Sequence, residues 1–336
     1  MADPSLPALD GSVVLVTGGA GYIGSHVVHM LADQGVRQVV LDDLSAGRRD
    51  LLPTGVPFVE GDVGDAALVE RLCHEHGITA VVHFAGSILV SESVERPLDY
   101  YRNNVLGGLG LIEGTAAAGV EEIVFSSSAA VYGAAGDRPV PEGATTQPIN
   151  PYGWTKLITE RMLADAEPVH GQRHMALRYF NVAGADALGR TGECRRQATH
   201  LINVASEVAT GKRPAMTVNG TDYATQDGTC VRDYVHVTDL ADAHVRALAH
   251  LAAGGASAVL NCGYGHGYSV RQVLAAMETV TGRPLTATDA DRRPGDPPQL
   301  VADATRIREA LGWSPRFDDL PAIIASALAW EQKRPD

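Results

Sequence analysis

The chain has 336 residues, 45% hydrophobic and 20% charged, a balance that suits a globular protein with one large domain and a smaller one elaborated on it. The formal net charge of −13 repels nucleic acid phosphates and anionic membranes and argues against both as partners, while a local arginine can still hold a small phosphorylated ligand. Cys73, Cys194, Cys230 and Cys262 lie far apart, with no Cys-x-x-Cys pair and no histidine at zinc spacing, so reduced thiols of a cytoplasmic protein are expected, not disulfides or a metal site.

Residues 1–11 have no basic region followed by an apolar run and read as a short flexible lead. No stretch approaches the roughly 20 apolar residues of a membrane span. Val13 to Val16 is a short β-branched run, suited to a strand covered on both faces. Thr17-Gly18-Gly19-Ala20-Gly21-Tyr22-Ile23-Gly24 follows directly, and a helix is predicted over 22–34. Glycines between a strand and a helix allow a tight turn and close approach of backbone to a pyrophosphate, which the helix N-terminus then attracts. A second strand, Val39 to Leu41, ends at Asp42, the offset at which a carboxylate accepts from adenosine ribose hydroxyls. Asp42 repels a 2′-phosphate, which favours NAD over NADP, although Arg48 and Arg49 are near in sequence.

Strands at Phe58-Val59, Val81 to His83, Ile123 to Phe125 and Met175 to Tyr179 continue the pattern, with helices predicted over 65–76, 97–118 and 152–166. This alternation predicts an α/β fold, a Rossmann-type doubly wound parallel sheet with a smaller C-terminal substrate domain. After residue 181 the rhythm changes. Residues 183–196 look like a loop, 198–210 like a helix, 211–230 like turns, and 235–251 like a strand end and a helix returning to the first domain. Residues 263–336 mix Gly/Pro loops with two or three helices. The expected division is therefore 1–181 with 232–262 as the NAD-binding domain, and 182–231 with 263–336 as the smaller one.

Tyr152 and Lys156 stand four residues apart, on one face of the predicted helix. A phenol with a pKa of about 10 is a poor base at neutral pH, and a neighbouring ammonium favours its phenolate. The bland alternative is an ordinary exposed helix face. Ser126-Ser127-Ser128 follow the fifth strand at the carboxyl edge of the sheet, where ligands of such sheets bind; a polar turn is the alternative there. There is no Gly-x-Ser-x-Gly elbow, which disfavours a serine hydrolase.

With these residues in place, the chain resembles the extended short-chain dehydrogenase/reductase family, and within it most closely the UDP-glucose 4-epimerases. The segments that carry the resemblance are Thr17–His26, Asp42–Ser45, His83–Gly86, Asn103-Asn104, Ser126–Gly133, Tyr152–Lys156, Arg178–Asn181, Asp227–Val237 and Arg293–Asp303. The resemblance implies Tyr152 as acid and base, Lys156 as its partner and Ser128 as a hydrogen-bonding hydroxyl. It implies an NAD site built from Gly18, Gly21, Tyr22, Ile23, Gly24, Asp42, Asp43, Leu44, Ser45, Asp62, Val63, Phe84, Ala85, Gly86, Asn104 and Phe180, together with Tyr152 and Lys156. A UDP-sugar would lie against Ser128, Tyr152, Asn181, His200, Leu201, Thr217, Val218, Asn219, Arg232, Arg293 and Asp296. The implied reaction is reversible 4-epimerisation through a 4-keto sugar with NAD regenerated in place, by a homodimer formed through the helices near 97–118 and 152–166, where the small residues from Leu109 to Gly119 permit close packing.

Four positions depart from the family pattern. Ile88 stands where many members have a cofactor-contacting lysine, Asn219 where many have an aromatic near the uracil, His200 where Asn is common, and Leu300 where some have a tyrosine that limits the pocket. A smaller residue at 300 would admit N-acetylated sugars or simply fill a shorter wall. Ser128 is followed by Ala129-Ala130, not by the acidic pair a sugar-nucleotide dehydratase needs. A pentose or uronic acid nucleotide as substrate, and a non-catalytic NAD-binding protein, are the remaining alternatives; intact Ser128, Tyr152 and Lys156 argue against the second.

Overall fold

Side chains alternate across the first strand, and that alternation sorts the core into two faces. Val14 and Val16 enter one apolar cluster, Val13 and Leu15 another. The computed structural model describes residues 9–136, 138–195, 199–293 and 296–334. In chain order its elements begin β1 (Val13–Thr17), α1 (Tyr22–Asp33), β2 (Arg37–Asp42), β3 (Phe58–Glu60), α2 (Ala66–His76), β4 (Ala80–His83), α3 (Val90–Glu95), α4 (Pro97–Tyr100), α5 (Gly107–Ala117) and β5 (Glu122–Ser128). They continue α6 (Pro151–His170), β6 (Arg173–Tyr179), β7 (Asn181–Ala183), α7 (Leu201–Ala209), β8 (Met216–Asn219), β9 (Val231–Arg232), β10 (Tyr234–His236), α8 (Val237–Ala252) and β11 (Ala258–Cys262). The last are β12 (Tyr268–Ser269), α9 (Val270–Thr281), β13 (Ala287–Ala290), β14 (Gln299–Leu300), α10 (Thr305–Leu311) and α11 (Leu320–Lys333).

Seven strands form one parallel sheet in the order β11-β6-β5-β4-β1-β2-β3. The direction of winding reverses between β1 and β4, the switch point at which such sheets open a crevice. On one face α1 and α8 bring Val27, Leu31, Leu240 and Leu248 against Val14, Val16 and Val40. On the other, α2 and α5 bring Val69, Leu72 and Leu111 against Leu15, Leu41 and Val81, and α6 adds Leu163 beside Ile123 and Phe125. This is the doubly wound sheet that the alternating pattern predicts.

Several elements depart from the sequence expectation. Strand β11, with the apolar run Ala258-Val259-Leu260, is not among the expected strands, and pairing with β6 makes it the edge of the sheet. A short strand at Asn181–Ala183, pairing with β10, was not expected and runs into the start of the loop expected at 183–196. The helical run from Pro97 to Ala117 contains a π-helical segment at Tyr101–Leu106, an irregularity that hydrophobic periodicity does not reveal. The small residues of α5 are used within the chain. A Cβ on Gly114 would lie 2.8 Å from Val69 Cβ on α2, and one on Gly108 would lie 3.2 Å from Thr159 on α6. Three small sheets, β10-β7, β12-β9-β14 and β13-β8, gather the later strands beyond the carboxyl edge of the large one.

Where α6 crosses the large sheet, an ion pair is buried. Arg178 on β6 donates from Nε (2.9 Å) and Nη2 (2.6 Å) to the two oxygens of Glu160 on α6. Ser127 donates to the same carboxylate, and Arg178 Nη1 reaches the Tyr132 hydroxyl at 3.0 Å. Removing one partner strands a charge in a dry interior. Arg178→Met is therefore expected to lower the free energy of urea unfolding by about 3–5 kcal/mol, and Arg178→Met/Glu160→Leu to recover most of it. Equal losses in the two variants would refute the pairing as the cause.

Candidate active site

A cleft of about 580 Å³ runs along the carboxyl edge of the large sheet, and the ends of β1, β2, β4, β5 and β6 contribute to its walls. Its floor is the turn from β1 into α1. Gly18 has φ +67°, and a Cβ there would lie 2.5 Å from the Ala85 backbone nitrogen, so the turn and the loop after β4 touch through bare backbone. A Cβ on Gly24 would strike the Gly18 carbonyl oxygen. Gly21 caps α1 with no side-chain hydrogen bond, which leaves the helix N-terminus to the cleft.

Asp42, at the end of β2, accepts from the N–H of Ala20 and of Leu44, both at 2.9 Å. Burial pushes its carboxyl above the usual range and these two bonds pull it back. Leu44 has φ +57° and is the only non-glycine residue with positive φ among those described; it lies outside the cleft lining and shapes the turn that carries Asp43 and Ser45. Asp62, Val63, Phe84, Ala85, Gly86, Ile88 and Phe180 line the cleft, as do Tyr22 and Ile23. Asn104 stands behind the wall. Its Oδ1 accepts from the Ser87 N–H at 2.7 Å, and its Nδ2 donates to the Ser87 carbonyl (2.9 Å) and the Thr155 hydroxyl (3.0 Å). It thus ties the loop after β4 to α6.

At the other wall the first turn of α6 brings Tyr152 to Ser128. Asn150 caps the helix by accepting from the Gly153 N–H, and Pro151 opens it. The Tyr152 phenol is 5% exposed and hydrogen-bonds the Ser128 hydroxyl. Lys156 is buried one turn on and donates from Nζ to the Ser126 carbonyl at 2.8 Å. Its ammonium lies 5.8 Å from the Tyr152 ring centre and 5.0 Å from that of Phe125. Burial drives the Tyr152 phenol well above its ordinary pKa, and the charge on Lys156 does not offset it in the protein alone. This differs from the sequence expectation, because spacing along a helix shows which groups meet but not how dry their meeting place is. Burial also pushes the Lys156 amine down to about 8, against the pull of Glu160.

Toward the small sheets, Asn181, His200, Arg232, Asp296 and Leu300 line the cleft, with Arg232 Nη2 3.5 Å from Asp296 Oδ1. Five residues expected to touch a UDP-sugar lie outside that lining. Leu201 opens α7. In β8 Thr217 faces solvent and Val218 the core, so strand alternation keeps both from the cleft, and Asn219 ends the strand beside β13. Arg293 is exposed. Tyr179 and Arg195 are among the lining residues that were not foreseen. Tyr179 accepts from the Ser126 hydroxyl at 2.8 Å, and its place at the end of β6 could have signalled it. Arg195 sits in a loop without a motif, and nothing in the sequence marks it.

The depressed Lys156 amine has a consequence for stability. Between its folded value near 8 and an unfolded value of about 10.4, the unfolded chain binds more protons at this residue, so its contribution to stability rises with pH. Compared with Lys156→Met, the parent protein is expected to gain up to about 2–3 kcal/mol of unfolding free energy between pH 8 and 10. Parallel pH profiles of the two proteins in urea titrations would place the amine in a wetter setting.

The description NAD dependent epimerase/dehydratase family belongs to the family model that matches residues 14–263. The chain is 60% identical over 319 residues to UDP-glucose 4-epimerase of Azospirillum brasilense, covering 95% of this chain and 92% of that protein. It superposes on UDP-glucose 4-epimerase of Brucella ovis, crystallised with NAD, with a TM-score of 0.93, 45% identity and coverage of 96% of this chain and 99% of that one. The Stenotrophomonas maltophila enzyme, crystallised with NAD and formylated UDP-arabinopyranose, gives a TM-score of 0.92 at 40% identity, covering 96% and 98%. A glycine turn against bare backbone, a buried phenol held by a serine hydroxyl and likeness over nearly the whole length agree: the chain belongs to the NAD dependent epimerase/dehydratase family, among the UDP-glucose 4-epimerases.

Proposed function

We propose that the protein interconverts UDP-galactose and UDP-glucose by reversible 4-epimerisation. The observation that carries this reading is the Tyr152–Ser128 pair at the cleft wall, facing the glycine turn across a space that also holds Asn181 and Arg232. The relatives' NAD complexes and the bare α1 N-terminus support NAD as the cofactor, with Asp42 at the adenosine ribose. Bound in its oxidised form, NAD supplies a hydride acceptor at carbon 4 and a positive charge that favours the Tyr152 phenolate.

Tyr152 removes the proton from the sugar 4-hydroxyl as the carbon–hydrogen bond breaks, and the Ser128 hydroxyl holds that oxygen in line. Lys156, with a pKa near 8, is cationic at neutral pH and steadies the phenolate. The 4-keto sugar turns over in the cleft, and reduction of its opposite face takes back the proton from Tyr152. Burial keeps Tyr152, the proton donor, from water.

Leu300 in the cleft lining favours a second, broader reading, in which the sugar pocket also accepts N-acetylhexosamine nucleotides. Assembly as a homodimer is supported by Leu98, Leu106 and Trp154, apolar side chains that are 71%, 56% and 42% exposed on neighbouring helical segments. No helix among the described residues is long and apolar enough to cross a membrane, and a cytoplasmic location fits the four unpaired cysteines.

Three outcomes are expected. Purified protein interconverts UDP-galactose and UDP-glucose without added reductant, read by NMR, and the same screen with UDP-N-acetylhexosamines and UDP-pentoses reads the width of the pocket; net accumulation of NADH would point to a dehydrogenase. Tyr152→Phe keeps bound NAD and loses a factor of about 10²–10⁴ in turnover, and near-parental rates would remove it as the base. Leu98→Glu/Trp154→Glu shifts the mass seen in sedimentation from dimer to monomer, and an unchanged mass would place the interface elsewhere.

A further inference from the structure

Very short strands carry the wall of the cleft toward the small sheets. Strands β9, β12 and β14 are each two residues long, so Arg232 and Leu300 stand on a sheet with few backbone hydrogen bonds of its own. Asn181, which also lines this wall, comes from β7. Asp233 lies where these segments meet, directly after Arg232, and is fully buried. Its backbone joins two of them. The Asp233 N–H donates to the Leu300 carbonyl at 3.2 Å, and its carbonyl accepts from the Asn181 N–H at 2.9 Å.

The carboxylate reaches further segments. Its Oδ1 accepts from the Tyr264 N–H at 2.9 Å, and its Oδ2 from the N–H groups of Gly265 at 3.0 Å and Ala302 at 3.2 Å. Tyr264 and Gly265 follow β11, the edge of the large sheet, and Ala302 follows β14. The short strands are thus pinned to the large sheet through one side chain. Gly263 makes room for it, since a Cβ there would lie 2.6 Å from Asp233 Oδ2 and 2.5 Å from Ala302 Cβ. All three partners are donors, and an ionised carboxylate only accepts. Burial lifts the Asp233 pKa to about 6 against the pull of the three N–H groups, which leaves it ionised at neutral pH. An amide of the same shape would turn its NH2 toward at least one of those donors and leave a buried N–H without a partner.

A satisfied buried acid can be structural and no more. Here, though, the residue before Asp233 and both partners of its backbone line the cleft. The ties that set Tyr152 and Ser128 run instead through α6 and β5, by way of Asn150 and Lys156. We infer that Asp233 is a positioning residue for the sugar nucleotide: it fixes Asn181, Arg232 and Leu300 relative to one another across the cleft wall, and so governs substrate binding more than the chemical step. The identity of that substrate rests on the function proposed above.

The test separates KM from kcat in the NAD-loaded protein with UDP-galactose, alongside calorimetric titration with UDP. Asp233→Asn keeps the shape and removes an acceptor. Gly263→Ala crowds the same carboxylate from outside the cleft lining. Both variants are expected to raise KM and the Kd of UDP at least about fivefold, with kcat within about threefold of the parent and bound NAD per chain unchanged. A merely structural role lowers the fraction of folded enzyme, so kcat per chain falls while KM and UDP affinity hold. That pattern, or KM and Kd within about twofold of the parent in both variants, would overturn the assignment. Should Asp233→Asn fail to fold, Gly263→Ala decides by the same criteria. A parent protein that binds UDP but leaves UDP-galactose unchanged defeats the epimerase reading, and the UDP affinities of the variants then decide Asp233 by themselves.

Discussion

The hydrogen bond from Lys156 to the Ser126 carbonyl fixes the end of the cleft that holds Tyr152 and Ser128. It ties α6 to the end of β5 at 2.8 Å through a cation buried in the protein. Because α6 is held there, its first turn presents Tyr152 to Ser128, two residues further along β5. A buried ammonium is costly unless its donors are used, so the geometry is strongly preferred over alternatives in which α6 slides along the sheet. The lowered amine pKa and the raised phenol pKa are two signs of the same dry environment.

A second layer supports this contact. Glu160, one turn beyond Lys156, accepts from Ser127 and from Arg178 and so joins α6 to both β5 and β6. The side chains of three successive serines therefore have separate tasks. Ser126 donates to Tyr179, Ser127 to Glu160, and Ser128 meets Tyr152 in the cleft. Asn104 does similar work from the π-helical segment, holding the Ser87 backbone and the Thr155 hydroxyl. A residue that family resemblance assigns to the cofactor thus holds in place a loop of the cleft lining.

The end of the cleft toward the small sheets is organised differently. There the ties join residues far apart in the chain: Trp330 and Arg334, at the end of α11, with the Glu193–Arg195 stretch, and Arg232 with Asp296. No periodicity or spacing foreshadows contacts of this kind.

The sequence by itself determined the parallel sheet, the glycine turn, Asp42 and the Tyr152–Lys156 spacing, since each rests on local rules: apolar period, backbone freedom at glycine, and the 3.6-residue helical turn. Strand β11 was not expected, and its place at the sheet edge is set by pairing with β6, a partner more than 80 residues earlier. Nor could α5 reveal that its glycines face α2 and α6, because composition gives closeness without a partner. Only the tertiary structure decided that Thr217, Val218 and Arg293 stand outside the cleft lining and that Arg195 belongs to it. It also decided that the phenol and the ammonium meet away from water. Burial, which sets both their charge states and the direction of each long side chain, belongs to the packing of distant segments and not to any stretch of sequence.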